Sequence, residues 1–142
     1  MKKISTLLLI ILFGFLFSCD KSDSESQDII IGKWEYSTQY ENNIQITYNN
    51  CKRSTLEFKN NGTRNYLSYA TNISGDCIIL DNINSTWVKT DPNTYEFKNN
   101  DGYTYSETVT FENGNNRLIL QSFYFDENGD YSNYKFIYNR LN

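Results

Sequence analysis

The sequence predicts an all-β fold, arranged as a single up-and-down antiparallel β-barrel of about eight strands. Three observations support this. From residue 29 onward, short segments alternate between apolar and polar residues, and none repeats with the period of a helix. Thr, Tyr, Phe, Trp and Ile fill these segments, which is typical of pleated, half-buried surfaces. Turn signals rich in Asn and Gly separate them at intervals of about 8–12 residues.

The alternation defines the individual strands. Leu56 and Phe58, for example, share one face of a segment that ends at an Asn-Gly turn. The predicted strands cover residues 33–40, 43–48, 54–59, 64–69, 85–90, 94–98, 103–111, 117–125 and 131–140. Residues 70–84 have mixed polarity and predict a longer loop around one short strand at 77–80. A β-sandwich has a similar rhythm, but adjacent hairpins favour a barrel, since closure removes exposed strand edges.

The N-terminus has the features of a secretion signal. Lys2 and Lys3 precede an apolar run at residues 7–17, which is too short to span a bilayer and suits a signal-peptide core. Ser18 and Cys19 follow, and this order resembles a bacterial lipoprotein box, in which a small residue precedes a cysteine that becomes acylated. The alternative is an ordinary secretory signal with a cysteine near its cleavage site.

These features divide the chain into three parts. Residues 1–18 are predicted to be a lipoprotein signal peptide that is removed, and residues 19–28 to be the lipidated Cys19 with a polar, flexible tether. Residues 29–142 form the barrel domain. Acyl chains hold a protein stably on a membrane when more than one is attached. We therefore expect a cell-envelope protein anchored by its lipid, such as palmitate, to the bacterial outer membrane, on the periplasmic or the surface face.

Charge and composition exclude several function classes. The chain has 13 basic and 17 acidic residues and no histidine, so its net charge is -4. Without residues 1–18, which hold Lys2 and Lys3 and no acid, the net charge becomes -6. An acidic chain without basic runs is poorly suited to nucleic acid. Without histidine, the usual catalytic triads and most metal sites cannot form, so we predict no catalytic residue, metal or cofactor. The composition does not exclude a Lys or a carboxylate as a general base.

Cys51 and Cys77 are an even pair in an oxidising compartment and predict a structural disulfide. In the chain-entropy model, such a bridge stabilises the fold by roughly 3.5 kcal/mol. The alternatives are two free thiols or a redox pair, but the spacing is not that of a C-x-x-C motif.

Carboxylates on or directly after the predicted strands include Glu57, Glu96, Glu107 and Glu112. Two facing carboxyl groups could hydrolyse a glycosidic bond. Glu57 and Glu96, however, are out of phase with their apolar neighbours and are expected to face solvent. This pattern gives no support to a hydrolase.

Gly32, Lys33 and Trp34 open the first strand, and Arg140 ends the last one. A Gly-x-Trp at the start of the first strand with a basic residue on the final strand resembles the lipocalin pattern. More closely, residues 29–142 resemble the lipocalin-like domains of small bacterial envelope lipoproteins. The resemblance implies that Trp34 plugs the closed end of the barrel and that Arg140 packs across its face. The chain lacks the further motifs and the C-terminal helix of standard lipocalins.

The resemblance also implies a function, which is non-enzymatic binding of a small apolar or amphipathic ligand in the barrel. Aromatic residues are candidates for its lining, and we name Tyr66, Trp87 and Tyr124. The abundant Phe and Tyr could instead fill the barrel completely. The protein would then be a packed structural or interaction module that binds an envelope protein or glycan through its surface. The sequence identifies no protein partner.

Overall fold

The computed structural model describes residues 27–47, 50–125 and 128–142. These ranges contain nine antiparallel strands and no helix, so none of them holds a helix that could cross a membrane. The strands are β1 (Gly32–Glu41), β2 (Ile44–Ile46), β3 (Thr55–Phe58), β4 (Thr63–Thr71), β5 (Cys77–Asp91), β6 (Thr94–Asn99), β7 (Thr104–Glu112), β8 (Arg117–Phe125) and β9 (Tyr131–Leu141). The predicted all-β fold is confirmed. The predicted signal peptide and Cys19 lie outside the described residues.

The strands close into a barrel. Each strand from β3 to β8 pairs with the next one along the chain, and β1 pairs with both β3 and β9, which closes eight strands into a ring. β2 pairs only with the last three residues of β1. The turn between the two strands contains Asn42 and Asn43, which have φ values of 49° and 67°. Asn tolerates this left-handed backbone, which tight hairpins require. The predicted up-and-down barrel is confirmed.

The prediction of a long loop at residues 70–84 is wrong. β5 begins at Cys77 and continues without a break for 15 residues. It pairs first with β4 and then with β6, so one strand serves two successive hairpins. The consecutive residues Ile78, Ile79 and Leu80 are all exposed. Because both faces of this stretch carry apolar side chains, the sequence has no alternation there to indicate a strand.

The core fills one end of the barrel, which we call the closed end. Its fully buried side chains are Ile30, Trp34, Tyr95, Phe97, Val109 and Leu118. Residues 28–31 lie across this end, and the indole Nε1 of Trp34 donates to the carbonyl of Ile30 at 2.8 Å. Asp28 accepts from the Tyr95 hydroxyl at 2.7 Å and pairs with Lys89 at 3.3 Å. The segment before β1 is thus fastened to the barrel by both polar and apolar contacts.

Arg140 stabilises the same closed end. Its guanidinium carbon lies 4.1 Å from the ring centroid of Trp34, and its Nη1 and Nη2 donate to the carbonyls of Ile31 and Ile29 at 3.0 and 2.6 Å. Gly32 has a φ of 136°, and a Cβ there would stand 2.7 Å from Arg140 Nη1. The glycine of the Gly-x-Trp pattern is therefore required by both the backbone conformation and the space that Arg140 occupies.

The predicted disulfide is confirmed. Cys51 and Cys77 are bridged, with their Cα atoms 5.6 Å apart. Cys51 precedes the short strand β3, and Cys77 is the first residue of β5. Because the first residue of β3, Thr55, pairs with Leu67 of β4, the bridge ties the preceding loop to the barrel wall beyond the point where β3 begins.

Candidate functional site

The barrel encloses a cavity of about 480 Å³ at the end opposite Trp34. Leu56 lines its inner part and is 2% exposed, whereas Leu80 lines its outer part and is 63% exposed. The cavity therefore runs from the interior to the surface, and we call its outer end the mouth. Its volume lies within the range of about 300–1,000 Å³ that is typical of small-molecule sites.

Much of the cavity wall is aromatic. Tyr36, Tyr66, Tyr105, Phe136 and Tyr138 all contribute to it from β1, β4, β7 and β9. Tyr36 and Tyr138 meet edge to face, with ring centroids 6.0 Å apart. Burial raises the pKa of the Tyr138 hydroxyl above its usual range. This hydroxyl consequently stays protonated at physiological pH and can serve as a neutral hydrogen-bonding group.

Arg64 on β4 brings a buried positive charge to the cavity wall. Its Nε donates to Ser85 Oγ at 2.9 Å, and its Nη2 donates to the Tyr105 hydroxyl at 2.6 Å. Its guanidinium carbon lies 4.4 Å from the ring centroid of Phe97. Three neighbours thus fix this side chain, and a buried cation held in this way is stabilised by cation–π contact as well as by hydrogen bonds.

Glu107 on β7 brings a buried carboxyl group to the same wall. The side chain is 8% exposed, and within the described part of the chain its Oε2 has no hydrogen-bond partner. Burial raises the pKa of Glu107 to about 7, and the opposing influence of Arg64 only partly offsets this. Among the described residues, the two side chains form no direct ion pair. A second acid, Asp81, also lines the cavity, and its Oδ2 accepts from Ser68 Oγ at 2.6 Å.

The structure brings one of the three predicted ligand-binding aromatics to the cavity. Tyr66 lines it. Trp87 instead packs edge to face against Phe58 at the closed end, with ring centroids 5.9 Å apart, and its Nε1 donates to the carbonyl of Thr63 at 3.0 Å. Tyr124 lies near the end of β8 and is 57% exposed, outside the cavity lining. Trp87 therefore belongs to the core, and Tyr124 to the surface.

Sequence reasoning missed Arg64 and Glu107. The pattern that would have identified Glu107 is the alternation within β7, where Tyr105, Glu107 and Val109 share the inward face. Arg64 likewise alternates with Tyr66 on β4, and both line the cavity. Polar residues in phase with apolar neighbours on a barrel strand face the interior. No group of three or more metal-binding side chains occurs in the described ranges, and Cys19 lies outside them.

Comparisons with known proteins agree with this architecture. Lobster apocrustacyanin A1 and the related apocrustacyanins C2 and C1 superpose with TM-scores of 0.51, 0.51 and 0.50 at 15%, 15% and 16% identity. Each alignment covers 84% of this chain and 64% of the crustacyanin chain, so this protein spans less than two thirds of their length. At this identity, the likeness shows the fold alone.

The sequence comparisons identify the family. A search of curated proteins gives no significant match. The model of the family described as "lipocalin-like domain" matches residues 30–120, which is more than half of the chain. The closed barrel, with Trp34 buried at its closed end and a cavity at the other, has the architecture expected from that match. The chain belongs to the lipocalin-like domain family.

Proposed function

We propose that this protein binds a small apolar or amphipathic molecule inside its barrel and is not an enzyme. The cavity of about 480 Å³ carries this proposal, because it combines aromatic and aliphatic walls with a few polar groups. Lipocalin barrels are known for holding one small ligand in this way. The chain also has no histidine for acid–base catalysis.

We further propose that a lipid on Cys19 holds the protein in the cell envelope, at the outer membrane. This rests on the apolar run at residues 7–17 and on the Ser18-Cys19 pair. Asp28 is hydrogen-bonded to Tyr95 at the closed end of the barrel. A tether that leaves the domain at this end would keep the mouth of the cavity away from its own attachment point.

Native mass spectrometry tests the binding proposal. The protein is purified from its native envelope, and a secreted Cys19→Ser form serves as the soluble sample. We expect a discrete, stoichiometric, non-covalent adduct that is lost on denaturation, together with the mass of one disulfide. A bare chain with an intact disulfide would contradict the proposal. A diacylated mass on Cys19 in the envelope sample, absent from the Cys19→Ser form, tests the anchor separately.

A second candidate function is binding of an envelope protein or glycan through the surface. Exposed aromatic side chains near the β8–β9 hairpin favour it: the ring of Tyr131 lies 5.7 Å from that of Phe123 and 5.5 Å from that of Phe125. Solvent-exposed apolar clusters often mark interaction sites. Replacing Phe125 and Tyr131 by Ser tests it. Loss of binding to envelope fractions with an unchanged cavity ligand would favour this second function.

A further inference from the structure

We propose that the cavity selects a ligand with a cationic group, such as an ammonium, attached to an apolar body, and that Glu107 receives the cation with Asp81 nearer the mouth. This inference rests on the proposed function, that the barrel holds a small molecule. Three observations support it: the balance of charges in the lining, the unpaired acceptor on Glu107, and the aromatic walls.

The charges in the cavity lining favour a cation. Besides tyrosines, the ionisable side chains in the lining are the base Arg64 and the acids Asp81 and Glu107. When both acids are ionised, the interior has one negative charge in excess. Burying an unbalanced charge is costly. A ligand with one positive charge restores neutrality, whereas a carboxylate ligand would bring a third negative charge into the barrel.

Arg64 lowers the pKa of Glu107 through its charge but, among the described residues, forms no direct ion pair with it. Its bonds to Ser85 and Tyr105 and its contact with the ring of Phe97 hold it in place. Moving the guanidinium towards Glu107 would break these charge-assisted hydrogen bonds. They engage two of the five N–H donors of Arg64, so this side chain already has partners in the barrel wall, whereas Glu107 Oε2 has none in the described structure.

Two unpaired polar atoms in the wall are acceptors. Glu107 Oε2 is buried without a hydrogen-bond partner in the described structure, and so is Asn99 Oδ1. Both residues line the cavity. A buried acceptor that stays unsatisfied destabilises the protein, and more so when it is charged. A ligand that donates hydrogen bonds or carries a positive charge compensates this cost.

The aromatic walls suit the same ligand. The faces of tyrosine rings attract cations, and the attraction grows as the contact is desolvated. Tyr66, Tyr105 and Tyr138 line the cavity together with Glu107. Leu120 and Phe136 offer apolar surface for the remainder of the molecule. Cation and apolar body thus both find complementary surface within one cavity.

The binding of a cation is expected to depend on pH. Because burial raises the pKa of Glu107 to about 7, the carboxyl group is mostly protonated at pH 6 and mostly ionised at pH 8. A permanently charged ligand binds the ionised form, so its affinity rises across this range by up to about tenfold. The other ionisable or charged groups in the lining are Tyr36, Arg64, Tyr66, Tyr69, Asp81, Tyr105 and Tyr138.

Three probes with the same ten-carbon chain test the inference: decyltrimethylammonium, decanol and decanoate. Their affinities for the soluble Cys19→Ser protein are measured by calorimetry below the micellar concentration. We expect the cation to bind at least tenfold more tightly than decanoate at pH 8, and several-fold more weakly at pH 6 than at pH 8. The charge of this cation does not vary with pH, so any change arises in the protein.

Two variants localise the effect. Glu107→Gln keeps the shape of the side chain and removes its charge, so we expect it to lose about tenfold in affinity for the cation, to lose the pH dependence, and to bind decanol as before. Glu96→Gln is the matched control, because Glu96 lies on the adjacent strand β6 between the inward-facing Tyr95 and Phe97 and therefore faces outward.

The outcomes distinguish the inference of a cationic ligand from the underlying proposal that the barrel binds a small molecule. Equal affinity for the three probes, a preference for decanoate, or unchanged cation binding by Glu107→Gln would overturn the cationic ligand and leave the barrel a binding protein. Binding of none of the three probes would count against the proposed function itself. The comparison among probes uses the wild-type barrel, so it does not depend on how any variant folds.

Discussion

Glu107 makes the stability of the barrel depend on pH in an unusual direction. Burial raises the pKa of this carboxyl group from its ordinary value of 4.5 to about 7. Between these two values, the folded protein keeps a proton on Glu107 that the unfolded chain releases. The folded state then binds more protons than the unfolded state, so the free energy of unfolding falls as pH rises from about 4.5 to 7.

The size of this effect follows from the shift in pKa. A difference of one pKa unit corresponds to 1.36 kcal/mol, so a shift from 4.5 to about 7 amounts to about 3 kcal/mol once the pH exceeds 7. The pKa of Asp28 is shifted in the opposite direction, below its ordinary value. Desolvation alone would raise this pKa, but hydrogen bonds from Ile30, Tyr95 and Lys89 together lower it by more. Asp28 therefore titrates below 3.8, outside this window.

Glu107→Gln removes the titrating group without changing its shape. We expect the variant to be more stable than the wild type by up to about 3 kcal/mol at pH 8, and the difference to disappear towards pH 4.5. Urea unfolding of ligand-free Cys19→Ser protein, followed by the fluorescence of the buried Trp34, measures both proteins across this range.

Taking the difference between the two proteins at each pH cancels the contribution of all other carboxyl groups. Glu96→Gln is expected to follow the wild-type curve. If the difference between wild type and Glu107→Gln did not change with pH, or if it grew towards low pH, the reasoning about the buried carboxyl group would be refuted.

Three further predictions concern the closed end and the disulfide. Arg140→Lys should lower the free energy of unfolding by about 1.5–3 kcal/mol, since lysine cannot bond two carbonyls while lying over an indole; an unchanged urea midpoint would contradict this. Gly32→Ala should lower the free energy of unfolding by about 1–3 kcal/mol and by more than Gly75→Ala, because Gly75 also has a positive φ, of 88°, but open space around the added Cβ; equal losses would contradict this. Replacing Cys51 and Cys77 together by Ser should lower the free energy of unfolding by about 3.5 kcal/mol, as should a reductant acting on the wild type. An unchanged free energy of unfolding after reduction would contradict a stabilising bridge.

The sequence predicts the face of a strand better than the depth of a residue in the barrel. On β7, alternation correctly separates the inward Tyr105, Glu107 and Val109 from their exposed neighbours. On β8, Tyr124 is in phase with the buried Leu118 and Leu120. It does not tell how far along the barrel axis a residue lies. Trp87 therefore belongs to the closed end and Tyr124 to the rim, while Tyr66 alone of the predicted three reaches the cavity. Depth depends on strand tilt and register, which arise only when the barrel closes.

The sequence alone predicts the positions of the polar cavity residues only incompletely. Glu107 lies in phase with Tyr105 and Val109, so its inward direction is contained in the sequence. Arg64 is likewise in phase with Tyr66, but the register between β4 and β5 shifts between Ser68 and Tyr69, and both of these consecutive residues line the cavity. A bulge of this kind changes which residues share a face, and local alternation does not reveal it.

Buried polar groups at the two ends of the barrel differ in how they are satisfied. At the closed end, Asp28 and Arg140 bond to Tyr95 and to backbone carbonyls, and these bonds hold the segment before β1 in place. In the cavity, Arg64 is satisfied in the same way, but Glu107 keeps an acceptor without a partner in the described structure. A polar group that served stability alone would be expected to find its partner within the chain, since an isosteric amide or an apolar side chain would cost less. The unsatisfied carboxyl group is therefore better explained by a partner that enters through the mouth.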